Sequence, residues 1–118
     1  MIVIEGKAGK SVVLQDIIND QMRNRNVVVI DTVKVHGLQV PDGVDHLILD
    51  ADFEKALEIF ESAYKNEFSR YDWIVFEFNV EITEVDLSTF KAIDREYPQN
   101  FIVTVQNDAL EQVNVYFA

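Results

Sequence analysis

Four nearly unbroken apolar runs, separated by segments with a helical repeat, predict an α/β fold in three layers. The expected core is a mostly parallel sheet of about five strands with helices on both faces. The runs are Ile2-Val3-Ile4, Val27-Val28-Val29-Ile30, Trp73-Ile74-Val75-Phe76 and Phe101-Ile102-Val103-Thr104-Val105. Continuous rather than alternating hydrophobicity marks strands buried on both sides. Between the first two runs, Val13, Leu14, Ile17, Ile18 and Met22 recur at helical spacing, as on one face of an amphipathic helix. Residues 106–112 are too few for an ordinary crossover, which takes a dozen or more. The last strand, with Val113, Val115 and Phe117 alternating with Asn114 and Tyr116, is therefore expected to lie antiparallel at an edge; the alternative is a short helical turn and a parallel strand.

The remaining elements follow in order. Gly6 ends the first strand at a turn, and Asn24 to Asn26 break the chain before the second. Gly37, Pro41, Asp42 and Gly43 mark turns, with Val33, Val35 and Val40 as short extended pieces between them. His46-Leu47-Ile48-Leu49 reads as a short strand. Asp50 or Asp52 then caps a helix whose stripe is Phe53, Ala56, Leu57, Phe60, Ala63 and Tyr64, with Glu54, Glu58 and Glu61 outside. Thr83, with Asp86 three residues on, resembles a capping pair ahead of Leu87, Phe90, Ile93 and Tyr97, and Pro98 stops that helix.

A chain of 118 residues favours one domain, 1–118. Apolar residues are 48% and charged residues 26%, with four Gly and two Pro, which excludes a disordered or low-complexity polymer. The absence of cysteine excludes a disulfide framework, a thiolate zinc site and a cysteine nucleophile. Two histidines alone cannot build a zinc site. No apolar run approaches the roughly 18 residues of a membrane span, and a strand starting at Ile2 leaves no room for a signal peptide, so a cytoplasmic protein is expected. The net charge is −11, unevenly spread: five basic against four acidic residues in 1–40, five against seventeen in 41–118. Such acidity disfavours broad nucleic-acid binding. It serves solubility in any case, and it suits a basic protein partner or tolerates self-association. An anion site is to be sought near the start of the chain.

There the turn Ile4-Glu5-Gly6-Lys7-Ala8-Gly9-Lys10-Ser11 joins the first strand to the first helix. It resembles the phosphate-binding loop of P-loop NTPases, G-x-x-x-x-G-K-[ST]. Amides of a glycine turn and a helix N-terminus converge on one spot and attract phosphate. Two departures are plain. Ile4 stands where the pattern has its first glycine, and counting from Gly6 leaves the loop two residues short. What the resemblance implies is a shortened P-loop in which Gly6, Lys7, Ala8, Gly9, Lys10 and Ser11 hold ATP or GTP, Lys10 neutralises the transferred phosphate and Ser11 holds Mg²⁺.

In the branch of the family with a catalytic glutamate, a later strand ends in hydrophobics and Asp-Glu. Val75-Phe76-Glu77 occupies that place. Either Glu77 matches the water-orienting glutamate and Phe76 replaces the metal-supporting aspartate, or Glu77 stands in for that aspartate and the water-activating group is missing. Gln106, or Asn107, falls where the family senses the terminal phosphate. No arginine finger is evident; Arg23, Arg25 and Arg70 are unassigned. The implied activity is nucleotide or phosphate binding with at most weak, partner-dependent hydrolysis. The competing reading is an interaction module that has lost its nucleotide, with an exposed last strand able to extend another sheet.

The same residues have plainer roles. Lys10 and Ser11 can simply begin a helix, Lys7 can be a solvated loop residue, and Glu77 a surface or capping acid. Asp31 can form a turn, Trp73 can be core, and His36 and His46 have no evident partner. Receiver-like and flavodoxin-like alternatives want an acidic pair after the first strand with a late lysine, or a Ser/Thr-rich phosphate loop; neither is present.

Overall fold

The apolar runs become strands because their β-branched and aromatic side chains fill both surfaces of a sheet. The computed structural model describes residues 1–22, 25–32, 40 and 42–118. Its elements are β1 (Ile2–Gly6), α1 (Lys10–Gln21), β2 (Val27–Asp31), β3 (Asp45–Ile48), α2 (Phe53–Ala63), β4 (Trp73–Glu81), α3 (Leu87–Glu96), β5 (Asn100–Gln106) and β6 (Asn114–Phe117). A π-helical turn, Tyr64–Phe68, prolongs α2. The side chain of Asp52 caps α2, accepting from the Lys55 amide at 2.8 Å. The cap of α3 is Asp86, not Thr83: its carboxylate accepts from the Ser88 amide at 2.9 Å, so the acid itself supplies the oxygen and Thr83 lies in the preceding turn.

One six-stranded sheet runs in the order β3-β2-β4-β5-β1-β6. Every neighbouring pair is parallel except β1 and β6, where Ile2 faces Phe117 and Ile4 faces Val115. The chain moves one way across the sheet from β1 to β2 and the other way from β3 to β4 to β5. Right-handed crossovers therefore place α1 on one face and both α2 and α3 on the opposite face. Beneath α2 and α3 lies a core containing Phe60, Phe68, Phe76, Phe78, Phe90 and Phe101. Beneath α1 lies a smaller, aliphatic core of Ile2, Ile4, Leu14, Ile18, Met22, Val27, Val29, Val75 and Ile102, against which Trp73 packs half-buried.

This architecture corrects the expected fold class. Among the described residues the sheet has six strands rather than about five and there are only three α-helices, while the last strand lies antiparallel at an edge as expected. A single helix over one face is not a helical layer, so the chain is not clearly a three-layer, P-loop-like domain. The reason lies in the connections: among the described residues the link from β2 to β3 contributes no helix, and neither does the link from β5 to β6. The extended pieces expected at Val33 and Val35 lie outside the described residues, as do Arg23 and His36. Among the described residues no helix is long and apolar enough to cross a membrane.

Candidate functional site

In a sheet of parallel strands the carboxyl ends converge on one rim, where the following turns and helix starts gather polar groups. Gly6 ends β1 there, and three residues later Gly9 caps α1 with φ +87°, a left-handed conformation that glycine adopts without strain. Gly6 is constrained for a different reason. A Cβ at this position would come within 3.2 Å of Val113 Cγ2 and 3.3 Å of Val113 Cα, so the segment before β6 presses directly on the turn. Lys7, Ala8 and Gly9 are exposed and Ser11 is half-buried.

Lys10 is the unusual residue. It opens α1 yet is only 7% exposed. Its ammonium turns back into the rim and donates to Gly6 O at 3.0 Å and to Gln106 Oε1 at 2.5 Å. The amide of Gln106 then donates through Nε2 to Lys7 O at 2.8 Å and to Asp108 Oδ1 at 2.6 Å. Gly6 O also accepts from the Asn107 amide at 2.9 Å. Lys10 and Gln106 thus tie the turn to the end of β5. An ammonium has three donors, so among the described residues one N–H of Lys10 is uncommitted. Burial lowers the Lys10 pKa from its ordinary 10.5, and the negative charges of Glu77, Asp108 and Glu81 work against that shift. No side chain caps the first turn of α1, and no described backbone carbonyl outside the regular elements takes the amides of Ala8 to Val12.

Glu77 lies on the same face. Partner residues across parallel strands share a face, and the register reads Ile4–Thr104–Glu77–Asp31 from β1 through β5 and β4 to β2. Thr104, Glu77 and Asp31 are 0%, 2% and 1% exposed. Glu77 is not at the end of its strand, as the apolar run implied. It is the last regular pair before a bulge, after which Val80 pairs with Val105. Phe76 points to the other face, into the aromatic core, so it supplies nothing to this rim. At the far end of the row Asp31 shares a hydrogen bond with His46 Nε2 at 3.1 Å. Sequence reasoning treated these two separately, because fifteen residues of chain separate them and no spacing rule joins them.

The structure therefore gathers Gly6, Lys7, Lys10 and Gln106 by direct bonds and brings Glu77 close enough to act electrostatically. Ala8, Gly9 and Ser11 complete the turn. Arg25 and Arg70 line a groove with Trp73 and Asn100, the first residues of β4 and β5, at the opposite end of the sheet; neither attends the rim. Among the described residues no cluster of three or more His, Asp or Glu side chains could hold a metal unaided. Comparison of the chain with protein-family models and with curated protein sequences finds no match.

Proposed function

We propose that the turn at residues 6–11 binds the phosphates of a nucleotide, ATP or GTP, as the Mg²⁺ complex in the cytoplasm, with weak or absent hydrolysis. The observation that carries this reading is the inward-turned Lys10 ammonium beside a helix start whose amides are unclaimed. Amides and ammonium together would supply the positive charge that attracts an anion to this turn of an otherwise acidic body. Ser11 and Glu77 are the residues that would hold Mg²⁺, with the phosphates as further ligands; the ion would supply charge neutralisation between Glu77 and the phosphates. Gln106, whose amide is committed to Lys10, Lys7 and Asp108, would keep Lys10 aimed. Hydrolysis is weak on this reading because the arginines at the far end of the sheet cannot stabilise a transition state at the rim.

A second reading has its own support. The bonds of Lys10 to Gly6 and Gln106, and the pressure of Val113 on Gly6, account for the turn without any ligand. On that reading the protein is an interaction module. Titration with fluorescent ATP and GTP analogues, with and without Mg²⁺, separates the two. Expected are saturable binding by the wild type, binding weakened by about tenfold or more in Lys10→Ala, and loss of the Mg²⁺-dependent part alone in Ser11→Ala. Absence of binding at millimolar ligand overturns the nucleotide reading.

A further inference from the structure

The two edges of the sheet are unlike. β3 carries Asp45 and His46, and Asp45 is engaged by Tyr71 and Arg70; charges of this kind guard an edge against further pairing. β6 has no such guard. Among the described residues it pairs only with β1, at the end of the strand order, and residues 112–118 carry no charged side chain in a chain of net charge −11. Phe117 is 84% exposed and Val115 44%. Both lie on the α1 side, since their partners Ile2 and Ile4 belong to the core beneath that helix.

The backbone on this edge is oriented for pairing. The Ala118 amide donates to Met1 O at 3.0 Å. Because main-chain donors and acceptors alternate sides along a strand, Asn114 and Tyr116 then bond towards β1, and the N–H and C=O groups of Val115 and Phe117 point outward.

We propose that β6 pairs antiparallel with β6 of a second copy of this chain, about a two-fold axis at Tyr116, joining two sheets into one. In that register Val115 faces Phe117 of the second copy, and each such pair exchanges both its N–H···O bonds. The side chains make aromatic–β-branched cross-strand pairs on one face. The strand is self-complementary, as an isologous contact requires. Pairing it with its own copy places no like-charged side chains opposite one another. A contact of a few strand residues falls well below the roughly 1,600 Å² of a stable interface, so the dimer is weak and concentration-dependent. Salt strengthens it by screening the repulsion of two acidic bodies. This inference is independent of nucleotide binding.

Sedimentation equilibrium of the whole chain, from about 10 μM to about 1 mM and at low and high salt, reads the association directly. Expected is a monomer–dimer equilibrium that tightens with salt, is abolished in Phe117→Lys, and is unchanged in Ile48→Lys on the β3 edge. Val115→Pro removes an outward N–H without touching the β1 ladder and abolishes association with the circular dichroism spectrum retained. A monomer throughout the range, a dimer that survives both β6 substitutions, or one lost on Ile48→Lys overturns the proposal.

Discussion

The two faces of the sheet solve the same packing problem with different materials. Under α2 and α3 the core is aromatic and centred on Phe60. Its ring lies 5.2 to 6.2 Å from those of Tyr64, Phe68, Phe76, Tyr97 and Phe101, mostly edge-to-face. Such geometry adds to the burial of large apolar surfaces. Under α1 the side chains are aliphatic, and towards the carboxyl ends of the strands they give way to Thr104, Glu77, Asp31 and Lys10, all buried. Buried charges cost desolvation and weaken a core unless they are held by partners. The contrast separates the face that supplies stability from the face that gathers chemistry.

The largest test of that contrast is Phe60→Ala. It opens a cavity at the hub of the aromatic face and costs about 4 kcal/mol, against about 3 kcal/mol for Leu14→Ala beneath α1. Urea unfolding of both variants checks the order, and an equal or reversed cost breaks the division. Next comes Lys10→Ala. Removing the ammonium leaves Gly6 O and Gln106 Oε1 without their shared charged donor, at about 2 to 3 kcal/mol. A loss under 1 kcal/mol in the same measurement would mean that Lys10 is no strut, and would leave ligand binding as its only role.

The smallest effect is a slope with pH. The Tyr71 phenol is raised above its ordinary pKa of 10.0, first by burial and then by its hydrogen bond to the Asp45 carboxylate. Burial likewise raises Tyr97 and Tyr116. A raised folded-state pKa contributes stability that is complete below pH 10 and is lost as pH rises through the folded value. Lys10 has the opposite sign. Its folded value is below 10.5, so the unfolded chain holds more protons in the interval between them and stability rises with pH there. Urea midpoints between pH 9 and 11 should therefore fall less steeply in Tyr71→Phe than in wild type, and more steeply in Lys10→Ala. Parallel slopes in all three proteins would refute both assignments.

Much of the local structure was legible in the residue pattern. Unbroken runs such as Val27–Ile30 can be satisfied only by burial on both sides, and the stripe from Phe53 to Tyr64 makes sense only on a helix. The turn between the first strand and the first helix was legible at Gly6 to Gly9. Other features were not. The apolar run at Trp73 to Phe76 put Glu77 at a strand end, whereas β4 continues to Glu81 through a bulge, because its pairing with β5 sustains residues whose own pattern does not demand a strand. The bonds of the Gln106 amide to Lys10 and Lys7 were not legible either. Asp31, read as a turn former, is buried against His46.

Residue order alone decided where the apolar strand runs and the amphipathic helices form and that a glycine turn joins the first of each, since periodicity and backbone sterics act over a few neighbours. Tertiary structure decided that β5 lies between β1 and β4, that Val113 presses on Gly6, and that Lys10 meets Gln106 across ninety-six positions of chain. Those contacts depend on crossover handedness and on which apolar faces fit together, and neither is written in any local stretch of residues.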